Sequence, residues 1–319
     1  MWTHQGKRSI PALQWLFVEH SLAAGLGRLA DPKISLASFS SLFLGTVLAA
    51  HDGALSIAWL VVTVAGVFAL EIAKNASGEI HDFAADSSVR ADERTPFSGG
   101  KRVLVDGLLT PRETAAIAAT GYFVAAACGA AIVFWREPAV LGLGVLGLAC
   151  AYFYNAPPVR LSYRGLGEIA VGICYGPLIA CGAYLVQRGT ISRFVLLLSI
   201  PLGLLIAAFL WVNEIPDRRA DESAGKRTLV VRLGARRAAV VFGGILAAAF
   251  ALLFALPLAG LPLGLALGVI AAVPAFFAAR DLKKDVSTPG ALAPAQRLAL
   301  VTFVLFAAGS GLGAALLPW

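Results

Sequence analysis

Nine runs of roughly 20 apolar residues recur along this chain, over about 34–51, 55–80, 112–135, 138–156, 166–186, 192–214, 236–257, 260–279 and 294–317. A hydrocarbon core about 30 Å thick takes about 20 residues of α-helix to cross. Inside it every backbone polar group must be paired within its own segment, so an open sheet or a structureless run is excluded. The expected fold is an all-α membrane protein, a bundle of about nine transmembrane helices. The whole of 1–319 is expected to form a single domain, with 1–33 as a cytoplasmic or interfacial arm. Composition agrees: 58% of residues are hydrophobic and 14% charged, and the mean hydropathy is +0.78, which excludes an ordinary soluble domain. In the arm, Lys7 and Arg8 precede a broken amphipathic stretch around Leu13 to Leu29. It lacks the continuous apolar core of a cleavable signal peptide and reads as a helix lying on the membrane surface.

Charge placement sets the expected orientation. With span edges included, about 21 Lys and Arg fall in the arm and the even-numbered connections, against three (Arg136, Arg188 and Arg193) in the odd-numbered ones. The positive-inside rule then puts the N-terminus in the cytoplasm. Nine spans of a multi-pass protein of the inner (cytoplasmic) membrane leave the C-terminus outside. The basic balance, with a pI near 9.5, is accounted for by those loops. No soluble face interleaves basic and aromatic residues, so a nucleic-acid partner is not expected. Cys128, Cys150, Cys174 and Cys181 lie singly within apolar runs, which points to small core residues rather than a disulfide framework or a zinc site.

Two acidic clusters break this pattern, each following a span that ends on the cytoplasmic side. The first is Glu79-Ile80-His81-Asp82-Phe83-Ala84-Ala85-Asp86 and the second Asn213-Glu214-Ile215-Pro216-Asp217-Arg218-Arg219-Ala220-Asp221. A carboxylate in a span costs about 2.5–3.5 kcal/mol at the helix centre on insertion scales, less towards its end, so such residues face a polar cavity. On a helix, Asn75, Glu79, Asp82 and Asp86 step by four, three and four residues, and Asn213, Asp217 and Asp221 by four and four. Each set would share one face. One acidic cluster at a helix end is ordinarily just solvated. Two with D-x-x-x-D spacing point to hard oxygen ligands for magnesium, which is held by one or two carboxylates together with phosphate oxygens.

Basic residues follow both clusters. Arg90, Arg94, Lys101 and Arg102 lie in 87–111, with Ser98-Gly99-Gly100 before the last two, and Gly225-Lys226-Arg227-Thr228 comes after Asp221. Glycines let backbone N–H groups approach an anion, and Lys and Arg add charge-assisted hydrogen bonds. Arg90, Arg236 and Arg237 read as topological decoration, whereas Arg94, Lys101, Arg102 and Lys226 read as ligands of a diphosphate. A third patch, Tyr152 to Glu168, joins spans four and five and includes Tyr154, Asn155 and Arg160. No Walker-type glycine loop occurs, so nucleotide hydrolysis is not indicated.

Taken together, these motifs resemble the UbiA superfamily of intramembrane aromatic prenyltransferases. The family's Asn-Asp-x-x-Asp-x-x-x-Asp motif aligns with Gly78 to Asp86, and its second D-x-x-x-D motif with Asp217 to Asp221. Ser98 to Leu104, Pro157 to Glu168 and Ala224 to Leu229 resemble the branch that prenylates 1,4-dihydroxy-2-naphthoate for menaquinone. The chain departs from the pattern at Gly78-Glu79, where the family carries Asn-Asp. The resemblance implies transfer of a polyprenyl group from an allylic diphosphate to an aromatic acceptor. Asp82, Asp86, Asp217 and Asp221 would be the catalytic carboxylates, and Glu79 and Asn213 would join them in holding Mg2+. Tyr154, Asn155 and Arg160 would meet the acceptor, with Arg160 pairing a carboxylate. A secondary transporter, or a non-catalytic relative that binds prenyl lipids, stays open at this point.

Overall fold

The computed structural model describes residues 20–286 and 288–316, and all regular structure among them is helical. In chain order the α-helices are α1 (Leu22–Leu29), α2 (Pro32–Asp52), α3 (Ile57–His81), α4 (Phe83–Ser88), α5 (Pro111–Trp135) and α6 (Val140–Phe153). They continue with α7 (Gly167–Ile173), α8 (Ile179–Arg188), α9 (Arg193–Ser223), α10 (Leu229–Leu233), α11 (Ala235–Ala255), α12 (Ala272–Lys284) and α13 (Pro289–Leu316). The first part of the amphipathic stretch expected over 13–29, residues 13–19, lies outside the described residues, as does the C-terminal Trp319, while its second part is α1.

Among the described residues eight helical segments are long and apolar enough to cross a membrane. The fourth expected run is the exception, because α6 has only 14 residues, about 21 Å at 1.5 Å per residue. Its helix stops at Tyr154-Asn155-Ala156-Pro157-Pro158, where consecutive prolines remove donors and block the preceding turn. The fifth span is α7 and α8 run together. Pro177 interrupts its ladder, and the π-turn Cys174–Leu178 absorbs the break.

The bundle closes around α9. Its Leu198, Leu202 and Leu205 are at most 1% exposed and belong to one core with Phe242 of α11 and Phe303 and Phe306 of α13. The Trp211 indole N–H donates to the Ala238 carbonyl at 2.9 Å, which ties α9 to α11. Lipid gives helices no hydrophobic reason to associate, so small residues at the contacts supply close van der Waals packing. A Cβ on Gly176 would sit 2.6 Å from the Gly203 Cα, and one on Gly121 2.8 Å from the Ala69 carbonyl oxygen. Outward, Phe123, Phe134 and Trp135 stay exposed, as a lipid-facing surface requires.

The first acidic cluster departs from the single helical face expected of it, whereas Asn213, Asp217 and Asp221 of the second do share one face of a helix. Helix α3 ends at His81, and Asp82, with φ −97° and ψ 5°, is the joint at which α4 starts afresh. Glu79, Asp82 and Asp86 therefore belong to a helix end, a break and a new short helix. The second cluster lies within α9, which runs unbroken to Ser223 instead of stopping near 214.

Candidate active site

Where α3, α4 and α9 meet, they and the loop that follows α4 bound a partly open cavity of about 580 Å³. Along α9 its lining changes from Ile206, Phe209 and Leu210 to Asn213, Asp217 and Asp221. The chamber is therefore apolar at one end and acidic at the other. Asp82 and Asp86 complete the acidic end from the opposite wall. The loop is seated on α9 by Phe97, whose ring meets Phe209 edge-on at 6.0 Å.

Lys226 links the two walls, with its ammonium 3.6 Å from Asp82 and 3.5 Å from Asp221. Burial works to depress that ammonium's pKa, but Asp221 and Asp82 outweigh it and hold the group well above the ordinary lysine value. The Tyr163 hydroxyl donates to Asp82 at 2.9 Å, and the Gly99 N–H donates to Asp217 at 2.9 Å. Burial, together with the negative charges of Glu79 and Asp82, pushes Asp86 up to about 8.

Glu79 organises the loop. One carboxylate oxygen accepts the backbone N–H groups of Lys101 and Arg102, each at 2.9 Å, and the other accepts those of Val103 at 2.7 Å and Leu104 at 3.3 Å. With both oxygens so engaged, it acts as the post around which 101–104 is wound. Glu168 does the same for the second loop by accepting the Leu229 N–H at 2.6 Å. The absence of a side chain at Gly78 also has a local consequence. A Cβ there would lie 2.8 Å from the Asn155 amide nitrogen, and the Ser162 hydroxyl fixes that amide by donating to its oxygen at 2.7 Å.

All six expected metal ligands, Glu79, Asp82, Asp86, Asn213, Asp217 and Asp221, line the cavity, as do Arg94, Lys101, Lys226, Tyr154 and Asn155. Lys101 is ion-paired with buried Asp31. Two expected residues are not brought in. Arg102, with φ 56°, turns its guanidinium to Asp106 at 3.0 Å and to the Asp86 carbonyl at 2.9 Å. The Arg160 guanidinium stacks 4.0 Å from the centre of the Tyr163 ring, outside the lining. The sequence reading passed over Lys74, Glu214 and Tyr163. Lys74 and Glu214 carried a usable signal, being ionisable residues inside apolar runs.

The donor set fits magnesium. Asn213 and Asp217 each have a buried Oδ1 with no hydrogen-bond partner, and Glu214 a buried Oε2 in the same condition. These are hard oxygens beside the cavity. Among the described residues no three His, Cys, Asp or Glu side chains converge into a closed metal cage. A magnesium ion here would therefore take a few of these oxygens and complete its shell with water and phosphate oxygens.

Carboxylates facing each other from two walls of a chamber with an apolar end, within a bundle of membrane-length helices, define a class: intramembrane proteins with a polar site at one end of an apolar chamber. Residues 38–292 match the UbiA prenyltransferase family, and the chain belongs to it. The 1,4-dihydroxy-2-naphthoate octaprenyltransferase of Bacillus subtilis (strain 168) is 27% identical over 236 residues, covering 74% of this chain and 73% of the relative. A UbiA homologue from Aeropyrum pernix K1 superposes with a TM-score of 0.65 at 23% identity, over 86% of this chain and 96% of that one. Another from Archaeoglobus fulgidus, bound to GPP and Mg2+, gives 0.64 at 16% identity, over 92% of this chain and 100% of that one.

Proposed function

We propose that this protein moves a polyprenyl group from an allylic diphosphate to an aromatic acceptor in a magnesium-dependent reaction. The acceptor is 1,4-dihydroxy-2-naphthoate or a related hydroxy-aromatic acid. The observation that carries this reading is the pair of carboxylate walls, linked through Lys226, at the polar end of a chamber whose other end is apolar. The relative from Bacillus subtilis named above supports the choice of acceptor.

Asp82 and Asp86 on one wall, and Asn213, Asp217 and Asp221 on the other, would hold the metal, with Glu79 keeping the loop in register behind them. Bound magnesium would neutralise charge developing on the diphosphate leaving group. Arg94, Lys101 and Lys226 would donate to the diphosphate oxygens, favouring ionisation of the allylic C–O bond. The apolar lining of Ile206, Phe209 and Leu210 would take the prenyl tail, at about 0.8 kcal/mol per buried CH₂. The same lining would keep water from the allyl cation. Tyr154 and Asn155 would face the acceptor, whose electron-rich carbon forms the new C–C bond and loses a proton or carboxyl group.

The test is a product assay with purified protein, magnesium, labelled farnesyl or geranylgeranyl diphosphate and a panel of aromatic acids, with products identified by mass. EDTA should abolish transfer and magnesium restore it, and Asp82→Ala or Asp217→Ala should lose several orders of magnitude in rate. Near-wild-type turnover in either variant would refute the shared-metal reading. Diphosphate binding without transfer to any acceptor would make the protein a prenyl-lipid binder. With α6 counted as a short ninth span, Asp82 and Asp221 stay on one side of the membrane with Lys226 between them. The charge asymmetry then predicts a reporter inserted near Ser223 to be cytoplasmic and one fused after Trp319 external.

A further inference from the structure

Lys74 lies well inside α3, eight residues before Asp82, and therefore about 12 Å deeper along the helix than the acidic end. Among the described residues no carboxylate pairs with it; its ammonium lies 5.3 Å from the centre of the Tyr154 ring and 5.9 Å from that of Tyr175. Glu71, one turn earlier on the same helix, accepts from the Ser38 hydroxyl at 2.5 Å instead. Lys74 is also where the main cavity meets a second one of about 80 Å³, a largely apolar space lined by Val67, Leu70, Cys150 and Cys174, with Glu71 as its one acidic residue. Tyr154 and Tyr175 line both cavities as well.

Lys74 lines the chamber without an ion pair; Glu71 and Asp31 act on its ammonium only at longer range, and aromatic faces are its close partners. Such a site is incomplete until an anion arrives. The diphosphate is a poor candidate, since Asp82, Asp86, Asp217, Asp221 and Lys226 already define its end of the chamber. The remaining anion is one carried on an apolar, planar body that fits between two tyrosines. We infer that Lys74 is the specificity-determining cation for the acceptor, binding its carboxylate and orienting its ring along Tyr154 and Tyr175 towards the diphosphate end. This rests on the prenyltransferase reading and gives Lys74 the role that the sequence assigned to Arg160.

The experiment measures equilibrium binding of 1,4-dihydroxy-2-naphthoate, its neutral carboxamide and geranylgeranyl diphosphate to wild-type protein and to Lys74→Met and Lys74→Arg in detergent. In Lys74→Met the acid should bind about tenfold more weakly or worse, as expected for loss of one charge-assisted contact. The carboxamide and the diphosphate should stay within about twofold, and Lys74→Arg should retain a preference for the acid. A purely structural lysine would weaken all three ligands together, and that result overturns the assignment. So does weakened diphosphate binding with the acid unchanged. Should Lys74→Met fail to fold, wild-type selectivity decides: equal binding of acid and carboxamide overturns the proposal, and about tenfold preference for the acid supports it. Failure of the proposed function is read separately, as absence of prenyl transfer by the wild-type protein.

Discussion

The backbone N–H of Gly99 donates to the Asp217 carboxylate at 2.9 Å across 118 positions of sequence, so the loop after the first acidic cluster is docked directly on the second. The next residue, Gly100, has φ +71°, and a Cβ there would run into the Asp86 carboxylate. Gly100→Ala combines a strained backbone with that collision. It should lower transfer by at least tenfold while the spans still insert. A rate assay beside a thermal unfolding curve checks this, and wild-type turnover would show that the loop is not needed in this conformation.

Lys226 keeps Asp82 and Asp221 apart in charge as well as in space. Lys226→Met leaves two buried carboxylates without their shared cation, a loss of about 3 kcal/mol for a broken buried pair. Thermal unfolding in EDTA should show it. Added magnesium should recover part of the loss, because a cation then re-enters between the same two carboxylates, whereas the KM for the diphosphate should remain raised.

Glu79→Gln tests the loop post. The amide keeps one acceptor oxygen but faces two of the four backbone N–H groups with its own donor, leaving them unpaired in a buried site. The expected cost is about 1–3 kcal/mol of stability. Proteolysis should move to 101–104, a change that a pure metal ligand at this position would not produce. Glu79→Asp is one methylene short of reaching the loop and should behave similarly.

In the metal-free protein Asp86 keeps its proton up to about pH 8, because burial and then the charges of Glu79 and Asp82 oppose ionisation. A metal-binding carboxylate must be deprotonated. Apparent magnesium affinity should therefore rise with pH by up to about tenfold per unit below 8 and level off above it. The stability sign is the opposite in EDTA. A carboxylate whose pKa is raised on folding binds more protons folded than unfolded, so stability falls as pH climbs from near 4 through 8. Asp86→Asn should flatten both profiles.

Sequence alone determined the parts of this protein that follow from local composition. Hydropathy marked out eight full spans and a ninth that Pro157 and Pro158 cut short. Charge and oxygen chemistry singled out Asp82, Asp86, Asp217 and Asp221, all of which line the cavity. What only the tertiary structure decided was direction. Arg94 lines the cavity and Arg102 does not, although both lie in one basic loop, because Asp106 and the Asp86 carbonyl are within reach of Arg102. Glu79 holds a loop because four N–H groups from 101–104 converge on it, and Lys74 has Tyr154 and Tyr175 brought to it from the residue just past α6 and from the π-turn. Hydrophobicity is a property of each segment and adds along the chain. A hydrogen bond or an ion pair depends on a partner about 3 Å away, which for these side chains often lies far off in sequence.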